Sequence, residues 1–216
     1  MNVSLNEIDA MSKRACRGAG LPWGLAEEAG KAIRWLVAHK FSGLDMLADI
    51  IVLLDKKTLD DVSPILVAGV WQARSEVLSP FTCGAMLCDR AAELGAGEEI
   101  VLGPLCQPLA LAPYVALAAR LSGHVFELHW NDISMTIAAD KASLDEGIPD
   151  PGASVAQTTC CRTVDREVIN PITCVADCNA DPKTWARLND YAHRNYAPAT
   201  EASRLAGAGA GTTDSD

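Results

Sequence analysis

The chain is short of positive charge. Of its 216 residues, 18 are Lys or Arg against 28 Asp or Glu, a formal charge of −10, and its pI is near 4.8. Extended polyanions and anionic membrane surfaces are held by clustered Lys and Arg, so both are excluded as partners. The first residues, Met1 to Ile8, have neither a basic start nor an apolar stretch. No secretory signal is therefore expected, and a cytoplasmic location is. There is no clean hydrophobic run either. The longest uncharged stretch, from Ile100 to Ala119, carries Pro104, Pro108, Pro113 and Gln107. Those residues would leave backbone groups unsatisfied in lipid, so the stretch reads as a buried strand, a loop and the start of a helix. Gly-Lys-Ser/Thr, G-x-S-x-G, H-E-x-x-H and EF-hand patterns are all missing. The four histidines, His39, His124, His129 and His193, make no metal-ligand spacing.

What remains is enough for a packed core. Hydrophobic residues make up 49% of the chain and charged residues 21%, which excludes wholesale disorder. Ser4 and Glu7 form a capping box, followed by Leu5, Ile8, Met11 and Ala15 at helical spacing until Gly18, Gly20 and Pro22. Further helices are predicted over Gly24–His39, Leu44–Lys57, Cys83–Leu94, Pro113–Leu121 and from Asp181 to about Asn195. Glu99–Leu102 reads as a short strand. His124–Trp130 and Ile133–Ala138 alternate around Asn131-Asp132, a hairpin signature. Phe126, Leu128 and Trp130 would share one face, with Val125, Glu127 and His129 on the other. Asp140–Gly152 reads as a polar loop, and Ser154–Val164 and Glu167–Ile169 as strands. The expected class is α+β, one domain over 1–216. It has a helical subregion (1–60), a mixed α/β region with an antiparallel hairpin (61–181), and a C-terminal helix with a Gly-rich tail (182–216).

Two stretches concentrate functional residue types. On the second helix, Glu27, Lys31 and Arg34 project from one face, with Glu28 and Trp23 nearby. The same spacing also describes an ordinary solvated face. Gly30 suggests more, since a helical glycine costs about 1 kcal/mol against alanine; it suits close approach of another backbone, and the tail is one candidate. In that tail, His193, Tyr196, Thr200, Ser203 and Arg204 precede Gly207, Gly209 and Gly211. Converging glycine amides make an anion-binding nest, and Arg204 would add a bidentate contact. Such a segment equally describes a frayed terminus. The eight cysteines, in a reducing compartment, are expected as thiols and not as a disulfide framework. Cys160, Cys161, Cys174 and Cys178 lack a zinc-knuckle spacing, and adjacent Cys160 and Cys161 point to opposite faces, so buried structural thiols without a metal are expected, with a thiol metal site over 160–178 as the weaker alternative. Cys106, between two prolines, is the thiol singled out for nucleophilic testing.

The strings from Gly20 to Leu36 and from Tyr191 through Arg204 to Asp214 resemble a bacterial family catalogued only as a domain of unknown function. The resemblance implies no fold, reaction or cofactor. It implies only that the tail is part of the family's design.

The resulting expectation is a protein acting on a small anionic metabolite, a carboxylate or phosphate, with the reaction and any cofactor unassigned. Glu27, Glu28, Lys31 and His193 would transfer protons. Trp23, Arg34, Tyr196, Thr200, Ser203, Arg204, Gly207 and Gly209 would bind substrate. The alternative is a non-catalytic subunit or accessory protein of a metabolic enzyme, with Trp23, Trp35 and Tyr196 as anchors on a homo-oligomer or partner-enzyme interface.

Overall fold

A computed structural model describes residues 1–146 and 155–196. Strand β1 (Asn2–Ser4) leads into α1 (Leu5–Gly18), and Ser4 and Glu7 close the expected capping box. The Ser4 hydroxyl accepts from the Glu7 amide at 3.3 Å and the Glu7 carboxylate accepts from the Ser4 amide at 2.8 Å. Helices α2 (Trp23–Ala38) and α3 (Gly43–Asp55) follow, then a single turn α4 (Leu59–Val62). The apolar stripes read from the sequence face inward: Ile8, Met11 and Ala15 of α1, Ala29, Ile33, Leu36 and Val37 of α2, and Leu47, Ile50, Ile51 and Leu54 of α3 are buried.

Helix α1 lies between α2 and the C-terminal α7 (Pro182–His193). Two glycines set those approaches. A Cβ on Gly30 would stand 2.6 Å from the Asp9 carboxylate and 3.0 Å from the Asp9 carbonyl. Gly30 thus fits α2 against α1, which replaces the tail as the reason for that glycine. A Cβ on Gly18 would fall 1.8 Å from the Tyr191 carbonyl oxygen of α7.

Among the described residues, seven strands form the main sheet, in the order β2 (Ile65–Val67), β3 (Val70–Gln72), β4 (Glu99–Leu102), β10 (Thr159–Val164), β6 (Val125–Trp130), β7 (Ile133–Ile137), β8 (Ala142–Glu146). Only β3 and β4 run parallel; the other neighbours are antiparallel. Two small pairs, β5 (Leu105–Cys106) with β9 (Val155–Ala156) and β1 with β11 (Asp177–Asn179), complete the strands. Helix α5 (Pro80–Asp89) and helix α6 (Ala112–Ser122) join sheet to bundle. Helix α6 packs on β6 and β7 and also meets α2, so the buried apolar residues form one connected cluster. The α+β class stands.

Two expectations are corrected. Asp140–Gly152 is not all loop, because Ala142–Glu146 pairs with β7 as an edge strand. Glu167–Ile169, expected as a strand, is irregular. It follows β10 where the chain turns back across the sheet, and the Ile172 amide donates to the Ala142 carbonyl at 2.8 Å.

Candidate functional site

Alternation along three strands sends one set of side chains to the helices and the other to a polar face. On β6, Phe126, Leu128 and Trp130 are buried under α6, while Glu127 and His129 point away. On β10, Thr159, Cys161 and Thr163 turn inward and Cys160 and Arg162 outward. The register lines these outward groups into two rows across the sheet. Cys160, His129 and Ser134 occupy one row; Glu99, Arg162, Glu127, Thr136 and Ser143 occupy the next. Edge-on, the second row places a guanidinium between two carboxylates, the favourable order for cross-strand neighbours.

Glu127 is the centre of this face, with its side chain 12% exposed. Its carboxylate accepts from Arg162 Nε at 2.6 Å, from Arg166 Nη2 at 3.0 Å and from the Ser134 hydroxyl at 3.2 Å. Arg162 Nη2 also approaches it closely. Arg166, carried over the sheet by the returning segment, donates a second bond to Asp145 at 2.8 Å. Asp145 in turn accepts from Thr136 at 2.5 Å and from Ser143 at 2.7 Å. The two arginines are therefore fixed from below. Arg162 Nη1 and Arg166 Nε and Nη1 make no hydrogen bond among the described residues, and both arginines line a cavity of about 440 Å³. His129 and Cys160 also line it. Burial first, and the neighbouring Glu99 carboxylate second, push the Cys160 thiol up to about 12. It donates to Glu99 at 3.0 Å and stays protonated, so it is a donor in this site and not a nucleophile.

The residues singled out in the sequence fall in three other places. Glu28 and Lys31 line a cleft of about 170 Å³ between α2 and α6, together with Trp35 and Arg120. They pair with each other at 2.8 Å, and that bond raises the Lys31 pKa. Glu27 instead meets Lys13 of α1 at 3.9 Å. Trp23 is 59% exposed; the charges of Lys13 and Arg17 lie 5.9 and 5.4 Å from its ring centre. Arg34 is exposed without an ion pair among the described residues. His193 and Tyr196 stand 5.8 Å apart at the end of α7, and Arg14 of α1 donates to the Tyr196 hydroxyl at 3.4 Å. Helix α1 therefore stands between the two groups, with Lys13 and Arg17 toward α2 and Arg14 and Gly18 toward α7. Thr200, Ser203, Arg204, Gly207 and Gly209 lie outside the described residues.

Cys106 does not suit the nucleophilic role considered for it. It is 6% exposed, and burial pushes its pKa up to about 12, with Asp49 adding to the shift. Trp35, the third anchor considered, stacks its ring on His39 at 3.7 Å. Burial lowers the His39 pKa, opposed by its bond to the Trp35 carbonyl. An unfolded His39 takes a proton near pH 6.5, while the folded one resists until lower pH. The unfolded state then binds more protons, so His39 makes stability fall as pH drops below about 6.5. Urea midpoints at about pH 7.5 and 5.5 are expected to differ more for the natural chain than for His39→Gln. Equal differences would remove His39 as a source of acid sensitivity.

Comparison places part of the chain in a class. Residues 3–75 match a family described as "Protein of unknown function (DUF3726)", which takes in the Gly20–Leu36 string and ends before the second string. The resemblance read from the sequence thus holds over the helical subregion and the first sheet hairpin. Among solved structures, a malate dehydrogenase from Entamoeba histolytica aligns at 15% identity with a TM-score of 0.44, covering 72% of this chain and 47% of that one. The chain thus spans about half that structure's length. A search of curated proteins gave no match. No described helix is long and apolar enough to cross a membrane.

Proposed function

We propose that the protein binds a small carboxylate or phosphate metabolite on the polar face of the sheet. The observation carrying this is that partly buried Glu127 immobilises Arg162 and Arg166, both of which line a cavity and have N–H groups without a partner among the described residues. A planar guanidinium whose rotamer is already fixed loses little further entropy on meeting an oxyanion, and its free edge suits bidentate contact. His129, in the adjoining row, is the group placed for proton transfer if the ligand is turned over. The described lining carries Glu99, Glu127 and Asp145 against Arg162 and Arg166, so an anion there would be held by directed guanidinium N–H groups and not by net positive charge.

A thermal-shift series with phosphate, succinate and citrate tests the reading, because a binder must stabilise by mass action. A positive shift in the full chain that Arg162→Ala abolishes supports the sheet-face site. The same shift retained in Arg162→Ala, but lost in Lys31→Ala or on truncation after Ala199, would return the anion to the second helix and tail. No shift with any anion sinks the metabolite reading.

The second reading is an accessory subunit. It is favoured by Trp23 and Tyr196, 59% and 58% exposed, flanking Lys13, Arg14 and Arg17 on α1. Exposed aromatics beside basic groups are what an interface anchor offers. In that case Trp23→Ala with Tyr196→Ala would change association in sedimentation experiments and leave the anion shift untouched.

A further inference from the structure

Seven of the eight thiols are shielded. Cys16, Cys83, Cys106 and Cys161 are buried; Cys88, Cys160 and Cys178 are partly so. Burial raises the pKa of all seven, taking Cys88, Cys106 and Cys160 to about 12. Cys174 is exposed, and its Sγ lies 3.5 Å from His39 Nε2.

The imidazole is prepared for a particular role. His39 Nδ1 lies 2.8 Å from the Trp35 carbonyl oxygen. A carbonyl only accepts, so Nδ1 carries the hydrogen, and Nε2 presents its lone pair to the thiol. His39 is 8% exposed, and its ring is stacked on the Trp35 indole with planes 21° apart. His39 also caps the C-terminal end of α2, which fixes its backbone. The segment bearing Cys174 is held there by a 2.8 Å bond from the Val175 amide to the Ala38 carbonyl. A base with one tautomer and a fixed ring, its Nε2 lone pair facing an accessible thiol, is the arrangement of an activated nucleophile.

We propose that Cys174 and His39 form a nucleophilic thiol site for activated acyl donors of the thioester class, distinct from the polar sheet face. Cys174 Sγ attacks the thioester carbonyl carbon as its proton passes to His39 Nε2. The new S–C bond forms, and the bond to the departing sulfur breaks with its electron pair on that sulfur. The Nε2 proton then goes to the leaving thiolate. The products are an acylated Cys174 and a free thiol, with no oxidant or reductant required. The indole face and the Trp35 carbonyl hold the transient imidazolium.

Iodoacetamide labelling of the full chain, read by peptide mass spectrometry, tests the dyad. Here the S–C bond forms as iodide leaves. Cys174 is expected to react about tenfold or more faster than Cys178, and to slow by a similar factor in His39→Gln. It is also expected to react faster in the native chain than in urea, a measurement needing no variant. Equal rates at Cys174 in natural and His39→Gln protein, or a faster rate after unfolding, would overturn the site. Phenyl thioacetate is then expected to leave an acetyl group on Cys174 and none in Cys174→Ser. Fast alkylation without acetyl transfer would overturn the acyl-donor assignment.

Discussion

Gly18→Ala is expected to destabilise the protein by about 2–3 kcal/mol, lowering its melting temperature by roughly 5–10 °C. The new methyl would sit 1.8 Å from the Tyr191 carbonyl oxygen and 2.6 Å from its carbon. Both atoms belong to the backbone of α7, so no rotamer change relieves the clash. Either α7 moves off α1 or the contact is lost. Separation would also strain Asn195, which donates to the Arg14 carbonyl at 2.7 Å, and would expose the buried Leu188 and Ala192. Gly24→Ala is the control. Nothing lies within 4 Å of its Cβ position, and the substitution favours helix in α2, so a gain of about 0.5 kcal/mol is expected. Melting curves of the two variants moving together would contradict the α1–α7 contact.

Arg166→Ala is expected to weaken anion binding and to cost stability of about 1–3 kcal/mol. The guanidinium bridges Glu127 and Asp145, at 3.0 and 2.8 Å. Without it, two carboxylates on neighbouring parts of one face lose the cation between them. Glu127 keeps Arg162, and the exposed part of each side chain is screened by water, so the loss stays below that of a fully buried pair. For a bound anion the consequence is larger. Losing charge-assisted bonds to one guanidinium should weaken binding about tenfold to a hundredfold, and the bare carboxylates would repel what remains. Calorimetric titration with whichever of phosphate, succinate or citrate stabilises the natural chain reads both effects when combined with a urea curve. Unchanged affinity in Arg166→Ala would place the anion elsewhere.

The elements that were legible are those whose signal is local. The Ser4–Glu7 cap and the periodic stripes gave α1 to α3 within a few residues. Asn131-Asp132 between alternating runs gave β6 and β7. Strand β8 was missed because Ser143 and Asp145 look like loop residues; the strand comes from pairing with β7 at the sheet edge. The face shared by Glu127 and His129 was readable, but its partners were not. Arg162 lies 35 positions from Glu127 and Arg166 lies 39. Alternation fixes which side of a strand a residue occupies and says nothing of which strand lies beside it.

From the sequence alone, then, come the helices, the hairpin, the inward and outward sides of β6 and the acidic balance, all set by short-range periodicity and composition. Tertiary structure decided the rest. Register set Arg162 between Glu99 and Glu127, and a returning segment brought Arg166 over them. Close approach of α1 to its neighbours assigned Gly18 and Gly30 their partners. Cys174 and His39, 135 residues apart, met only because the chain before β11 returns to the end of α2. Such contacts depend on how elements pack across the core, which no local pattern encodes.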